Sequence, residues 1–151
     1  MADSAVAGRA APEPRIWIVS ADHWPRACLR AELIERGYDA VGFVTMKDAL
    51  FRLMLARSGR PTLLVVDLQA QTPNERMRAT LFGEHVPVLV VADGAHREVD
   101  PLGPAVRTLR RPVTIGAIAD TVDRVVGRAP GGAGPSVGHN AERDPGAKCL
   151  Q

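Results

Sequence analysis

Three short runs made only of large apolar side chains set the limits on this fold. They are Ile16-Trp17-Ile18-Val19, Leu63-Leu64-Val65-Val66 and Val88-Leu89-Val90-Val91. A strand with one face in water alternates apolar and polar residues, whereas a strand covered on both faces reads as an unbroken apolar run. Such strands belong to parallel sheets, whose crossover connections lay helices on both faces. The segments between the runs carry the matching helical signals. Between Pro25 and Arg36, Leu29, Leu33 and Ile34 recur at helical spacing, and Gly37 follows at the expected end. Thr45 three residues ahead of Asp48 predicts a helix start. That helix runs to about residue 57 with Ala49, Leu50, Leu53 and Met54 on one face, and Gly59 and Pro61 end it. Thr72-Pro73-Asn74-Glu75 starts a third, short helix that closes by Gly83. Thr114 caps a last one, with Ile115, Ile118, Val122, Val125 and Val126 on one face and Gly127 at its end.

Two weaker strands, at 39–43 and 106–109, complete the alternation. Residues 92–105 hold two prolines, two glycines and four charges, so no helix is expected there. Five strands alternating with helices predict an α/β domain with a parallel sheet covered on both sides. In such sheets ligands bind beyond the carboxyl ends of the strands. Those ends are Ser20-Ala21-Asp22, Asp67, Ala92-Asp93 and Arg110-Arg111, and the chemistry is to be sought among them.

The alternation fills only part of the 151 residues. The foldable domain is expected at 15–128. Residues 1–14 are rich in Ala, Pro and Gly and read as a disordered arm. Residues 129–151 carry almost no bulky apolar side chain and cannot offset an ordering cost of about 1–2 kcal/mol per residue, so they read as a disordered tail. No apolar run approaches the ~20 residues needed to cross a bilayer. The N-terminus has no apolar core of a signal peptide. Two cysteines, Cys28 in a helical pattern and Cys149 in the tail, do not suggest a disulfide framework. Cys28 reads as core packing, and a reducing cytoplasm is the expected location.

Nineteen Lys and Arg against seventeen Asp and Glu leave a net charge of +2, without the concentrated basic face of a nucleic-acid binder. Arg107, Arg110 and Arg111 form the tight basic cluster, which reads as a solvated strand end. His23 has no second ligand at metal spacing and reads as a loop histidine, and His85, His96 and His139 stand isolated. A Gly-rich phosphate loop, a Ser/His/Asp set and a CxxC pair are all missing from the sequence.

Over residues 15–127 the chain resembles the receiver domain of bacterial two-component response regulators. Three segments carry the likeness. Leu63-Leu64-Val65-Val66-Asp67-Leu68 is similar to the strand that presents the phospho-accepting aspartate. Arg110-Arg111-Pro112-Val113-Thr114 resembles the Lys-Pro-Phe step after the fifth strand. Glu35-Arg36-Gly37-Tyr38-Asp39-Ala40-Val41 resembles the turn from first helix to second strand. The resemblance implies a flavodoxin-like, doubly wound sheet with Asp67 at the phospho-acceptor position.

It also exposes departures. Where the family places two adjacent acids for Mg²⁺, this chain has Ser20 and Ala21, with Asp22 one place late. The hydroxyl position after strand four is Ala92, the lysine position is Arg111, and the aromatic switch position is Thr108. Mg²⁺ is bound through one or two carboxylates plus phosphate oxygens. Only Asp67 and Asp22 remain to supply them, so Mg²⁺ binding is expected to be weak and no other cofactor is implied. Three roles stand open for Asp67: phospho-acceptor, anchor for Arg111, or plain strand-end acid. Asp22 is either a helix-start acid favoured by the macrodipole or a metal ligand. A direct Asp67–Arg111 pair at ~4 Å and an effective dielectric near 20 would gain about 4 kcal/mol before desolvation.

The expectation that follows is a stand-alone, degenerate receiver-like signalling module, not an enzyme, acting by protein–protein contact through the last helix and the strand beside it. Its partner would be a sensor histidine kinase or an output protein, with neither nucleic acid nor membrane. The alternative is an active single-domain regulator phosphorylated on Asp67 by a histidine kinase. A flavodoxin-like cofactor carrier is disfavoured, because Ser20-Ala21-Asp22-His23-Trp24 lacks the run that cradles a flavin phosphate. Whether Arg111-Pro112 is cis is left open.

Overall fold

The computed structural model describes residues 12–56, 59–69, 71–93 and 106–128. The tail and most of the arm read as disordered, together with almost all of the 92–105 connection, lie outside the described residues. Among those described, the elements run β1 (Arg15–Val19), α1 (His23–Glu35), β2 (Asp39–Phe43), α2 (Met46–Leu55), β3 (Leu63–Asp67), α3 (Pro73–Gly83), β4 (Val88–Ala92), β5 (Val106–Arg110) and α4 (Ile115–Val126).

All strand pairings are parallel, in the order β2-β1-β3-β4-β5. The apolar runs form the three inner strands, as burial on both faces requires. Side-chain alternation along them sorts the core into two layers. Ile16, Ile18, Leu63, Val65, Leu89 and Val91 meet Leu29 and Leu33 of α1 and Ile118 and Val122 of α4. Trp17, Val19, Leu64, Val66, Val88 and Val90 meet Met46, Ala49 and Leu53 of α2 and Ala79 and Phe82 of α3. Trp17 stacks at a tilt on Phe43 and Phe82, with centroids 4.9 and 6.0 Å away. This is the parallel sheet covered on both faces that the alternation predicts, in the flavodoxin-like, doubly wound arrangement that the resemblance implies.

Each helix begins where a side chain can satisfy free amides. Thr45, Thr72 and Thr114 accept from Asp48 N, Glu75 N and Ala117 N. Gly127 closes α4 at φ 83°, a left-handed conformation that costs glycine nothing. Three details depart from the sequence reading. Met54 is 84% exposed, and Met46 takes its place in the core. The buried face of α2 is centred on Met46, Ala49 and Leu53, so Met54 falls well round the helix. Ile34 at the end of α1 is likewise exposed. Cys28 is half-buried and disulfide-bonded, which corrects the expectation of an apolar thiol in the core.

At the end of the sheet where β2 begins, a partly buried polar network ties α1 to α4. Tyr38 donates its hydroxyl to Asp123 Oδ1 at 2.5 Å, and Arg36 Nη1 donates to Asp123 Oδ2 and Asp120 Oδ1 at 2.7 Å each. Burial works against the Arg36 charge, but its bonds to Asp120, Glu32 and Asp123 outweigh that and raise its pKa. Burial, together with the bond to Asp123, pushes the Tyr38 hydroxyl up to about 12. Arg128 lies 4.9 Å from the centre of the Tyr38 ring and closes the network.

Candidate functional site

Register decides which strand-end residues meet. Val19 pairs with Val66 and Asp67 with Val91, so Ser20 and Asp67 continue adjacent strands on the side of the sheet that faces α1 and α4. Ala92 pairs with Arg110, so Asp93 and Arg111 follow on that same side. Parity alone therefore brings Ser20, Asp67, Asp93 and Arg111 together.

Asp67 is 6% exposed, and its carboxylate is fully engaged. Oδ2 accepts from Arg111 Nη2 at 2.8 Å and from Ser20 Oγ at 3.2 Å. Oδ1 accepts from the backbone N–H of Gln69 at 3.0 Å. An ionised carboxylate in apolar surroundings needs such partners, because an unpaired one would be strongly destabilising. Arg111 does not serve Asp67 alone. Its Nε lies 3.5 Å from Asp93 Oδ1 as an ion pair, and its backbone N–H donates to Ala92 O at 2.8 Å. One guanidinium thus ties the tips of β3, β4 and β5. The Arg111-Pro112 bond is cis.

The remaining site residues named from sequence are placed as follows. Asp22 is the N-cap of α1, its Oδ1 accepting from Trp24 N at 3.2 Å. Ala21 is exposed and offers no side-chain ligand. Ala92 is fully buried in the layer facing α2 and α3, so its methyl lies across the sheet from Asp67 and only its carbonyl takes part. Ser20 is 2% exposed and shares its hydroxyl between Asp67 and the carbonyl of Asp22. Asp93, a strand end to which the sequence assigns no role of its own, pairs with Arg111 as the parity argument requires. One participant lies outside the strand ends. Arg26 donates to Ser20 O at 2.5 Å and so buttresses the first loop.

These residues do not fit a Mg²⁺ ion. The Asp22 carboxylate caps a helix, a guanidinium and a hydroxyl hold one Asp67 oxygen, and Ala21 has no donor. Among the described residues no three His, Cys, Asp or Glu side chains are grouped as a metal would need. Hard octahedral cations need several oxygens converging on one point. Arg111 stands on Asp67 as a covalently attached cation instead.

No protein-family model and no curated protein matches the chain. Solved structures do. A response regulator receiver protein from Burkholderia phymatum superposes with a TM-score of 0.68 at 22% identity, covering 79% of this chain and 99% of that one. A response regulator receiver protein from Pseudomonas putida gives 0.60 at 25% identity, over 76% and 98%. A chemotaxis response regulator of Vibrio cholerae gives 0.57 at 18% identity, over 76% and 99%.

Proposed function

We propose that this chain, which has the fold of response regulator receiver domains, is a degenerate receiver-like signalling module of a two-component or phosphorelay system. It works by protein–protein contact, with a sensor histidine kinase or an output protein as partner, and its strand-end pocket stays in one form. The observation that carries this reading is the occupation of Asp67 by Arg111 and Ser20. Phosphoryl transfer to a carboxylate relies on positioning and on cations that neutralise the incoming oxygens. Here the Arg111 guanidinium is spent on the acceptor itself. A modification shifts a population only through a contact that differs between two states. Ala92 and Thr108, where the family carries a hydroxyl and an aromatic switch, offer no such contact at the pocket. Receiver function without phosphate then rests on shape and surface, in a domain where no helix among the described residues is long and apolar enough to cross a membrane.

The competing reading, an active regulator phosphorylated on Asp67 by a histidine kinase, has in its favour the position of Asp67 at the tip of β3. Incubation with Mg²⁺ and acetyl phosphate, followed by intact-mass measurement, separates the two. The proposal expects no added phosphoryl mass on the wild type and no difference from Asp67→Asn. A phosphoryl adduct that disappears in Asp67→Asn establishes the active regulator instead. Mg²⁺ alone is expected to leave the melting temperature unchanged.

A further inference from the structure

Five of the eight large exposed apolar side chains among the described residues lie on α2 and α3; Trp24 and Ile34 of α1 and Val44 are the others. Among the described residues Phe51, Met54 and Leu55 of α2 are 64%, 84% and 64% exposed, and Met77 and Leu81 of α3 are 61% and 49% exposed. None of the large exposed apolar side chains is on α4, the helix that the sequence reading favoured as the contact surface. α3 packs beside α2, so the two groups belong to one side of the molecule. Scattered single apolar residues on a surface need no explanation, but a cluster of this size marks an interaction site.

α2 carries the stronger signal. Its inner face is core, through Met46, Ala49 and Leu53. Phe51 and Leu55, four residues apart, form a second apolar stripe on the outer face, with Met54 beside it. A helix with apolar side chains on its outer face as well as its inner one calls for a cover.

We propose that the cover is a second copy of this chain, related by a two-fold axis that packs α2 antiparallel on α2 about Phe51. Charge placement selects this occupant. Asp48 and Arg52 lie on the same flank of the Phe51–Leu55 stripe. In an antiparallel pair of identical helices like flanks face each other, so Asp48 of each copy stands across from Arg52 of the other. Arg52 is exposed and has no ion pair among the described residues, and one Asp48 oxygen accepts from Thr45 Oγ. Two symmetric ion pairs then flank an apolar seam, and the antiparallel helix dipoles agree with them. A parallel pair would bring opposite flanks together and leave both charges unmatched.

The test is sedimentation equilibrium of the full chain over about 1 to 200 µM. The expected result is a monomer–dimer equilibrium with a dissociation constant in the micromolar range. Phe51→Glu and Leu55→Lys, both at exposed positions, each weaken it at least tenfold, with an unchanged circular dichroism spectrum. Asp48→Arg and Arg52→Asp each weaken it, and the double charge reversal restores it. A monomer throughout the range overturns the proposal. So does a dimer indifferent to Phe51→Glu, or a double reversal no better than either single variant.

Discussion

Asp67 has three hydrogen bonds and almost no solvent, so every partner removed is a cost. Arg111→Ala leaves a carboxylate 6% exposed with only Ser20 and Gln69 to hold it. Breaking one side of a buried ion pair destabilises by about 3 kcal/mol. Urea denaturation is expected to show a loss of that order, and Arg111→Lys to recover only part of it, because a single ammonium does not span Asp67 and Asp93 as a planar guanidinium does. Tyr38 gives a prediction in pH. Its folded pKa of about 12 lies above the ordinary tyrosine value of 10.0. A raised folded pKa contributes stability that is fully present below the unfolded value and is lost as pH rises through the folded one. Denaturation midpoints are therefore expected to fall between about pH 10 and 12. Tyr38→Phe is expected to remove that part of the fall while also removing the bond to Asp123.

At the scale of elements, the caps are the most readable and the most testable features. Thr114 Oγ accepts from Ala117 N at 3.1 Å, and Thr114→Ala is expected to cost about 1 kcal/mol, measured by the same denaturation. The starts of α2, α3 and α4 and the inner strands were legible, because a threonine before a periodic segment and an unbroken apolar run are local signals, whereas α1 begins at His23, two residues ahead of the Pro25 that its apolar spacing marks. Helix phase was less so. Met54 and Met46 are both consistent with a face containing Ala49 and Leu53, and only packing against the sheet chooses between them. The site was legible in part. Asp67 and Arg111 follow from strand ends. The separation of Ala92 from Asp67 follows from alternation along β4, which strand-end position alone does not register. The choice of Asp22 between cap and ligand depends on where the α1 amides point, a three-dimensional fact. The network of Tyr38, Asp123 and Arg36 joins residues up to 87 positions apart and left no trace in local pattern.

At the scale of the molecule, two layers of helices fix a parallel sheet whose carboxyl end is tied by one arginine. The opposite corner is tied by Arg36, and an apolar flank is left on α2. The division has a simple physical basis. A sheet with both faces covered can present chemistry only at its strand tips. Under the proposed function, with those tips joined by their own ion pairs, the exposed helices are what remains for contact with a partner. The central claim is that Arg111 keeps Asp67 out of phosphoryl chemistry. The backbone amide of Gln69 reports on it directly, since it donates to Asp67 Oδ1 at 3.0 Å. Titration of ¹⁵N-labelled protein with beryllofluoride and Mg²⁺ is expected to leave the Gln69 resonance where it is in the wild type. A saturable shift of that resonance, absent from Asp67→Asn, would contradict the claim.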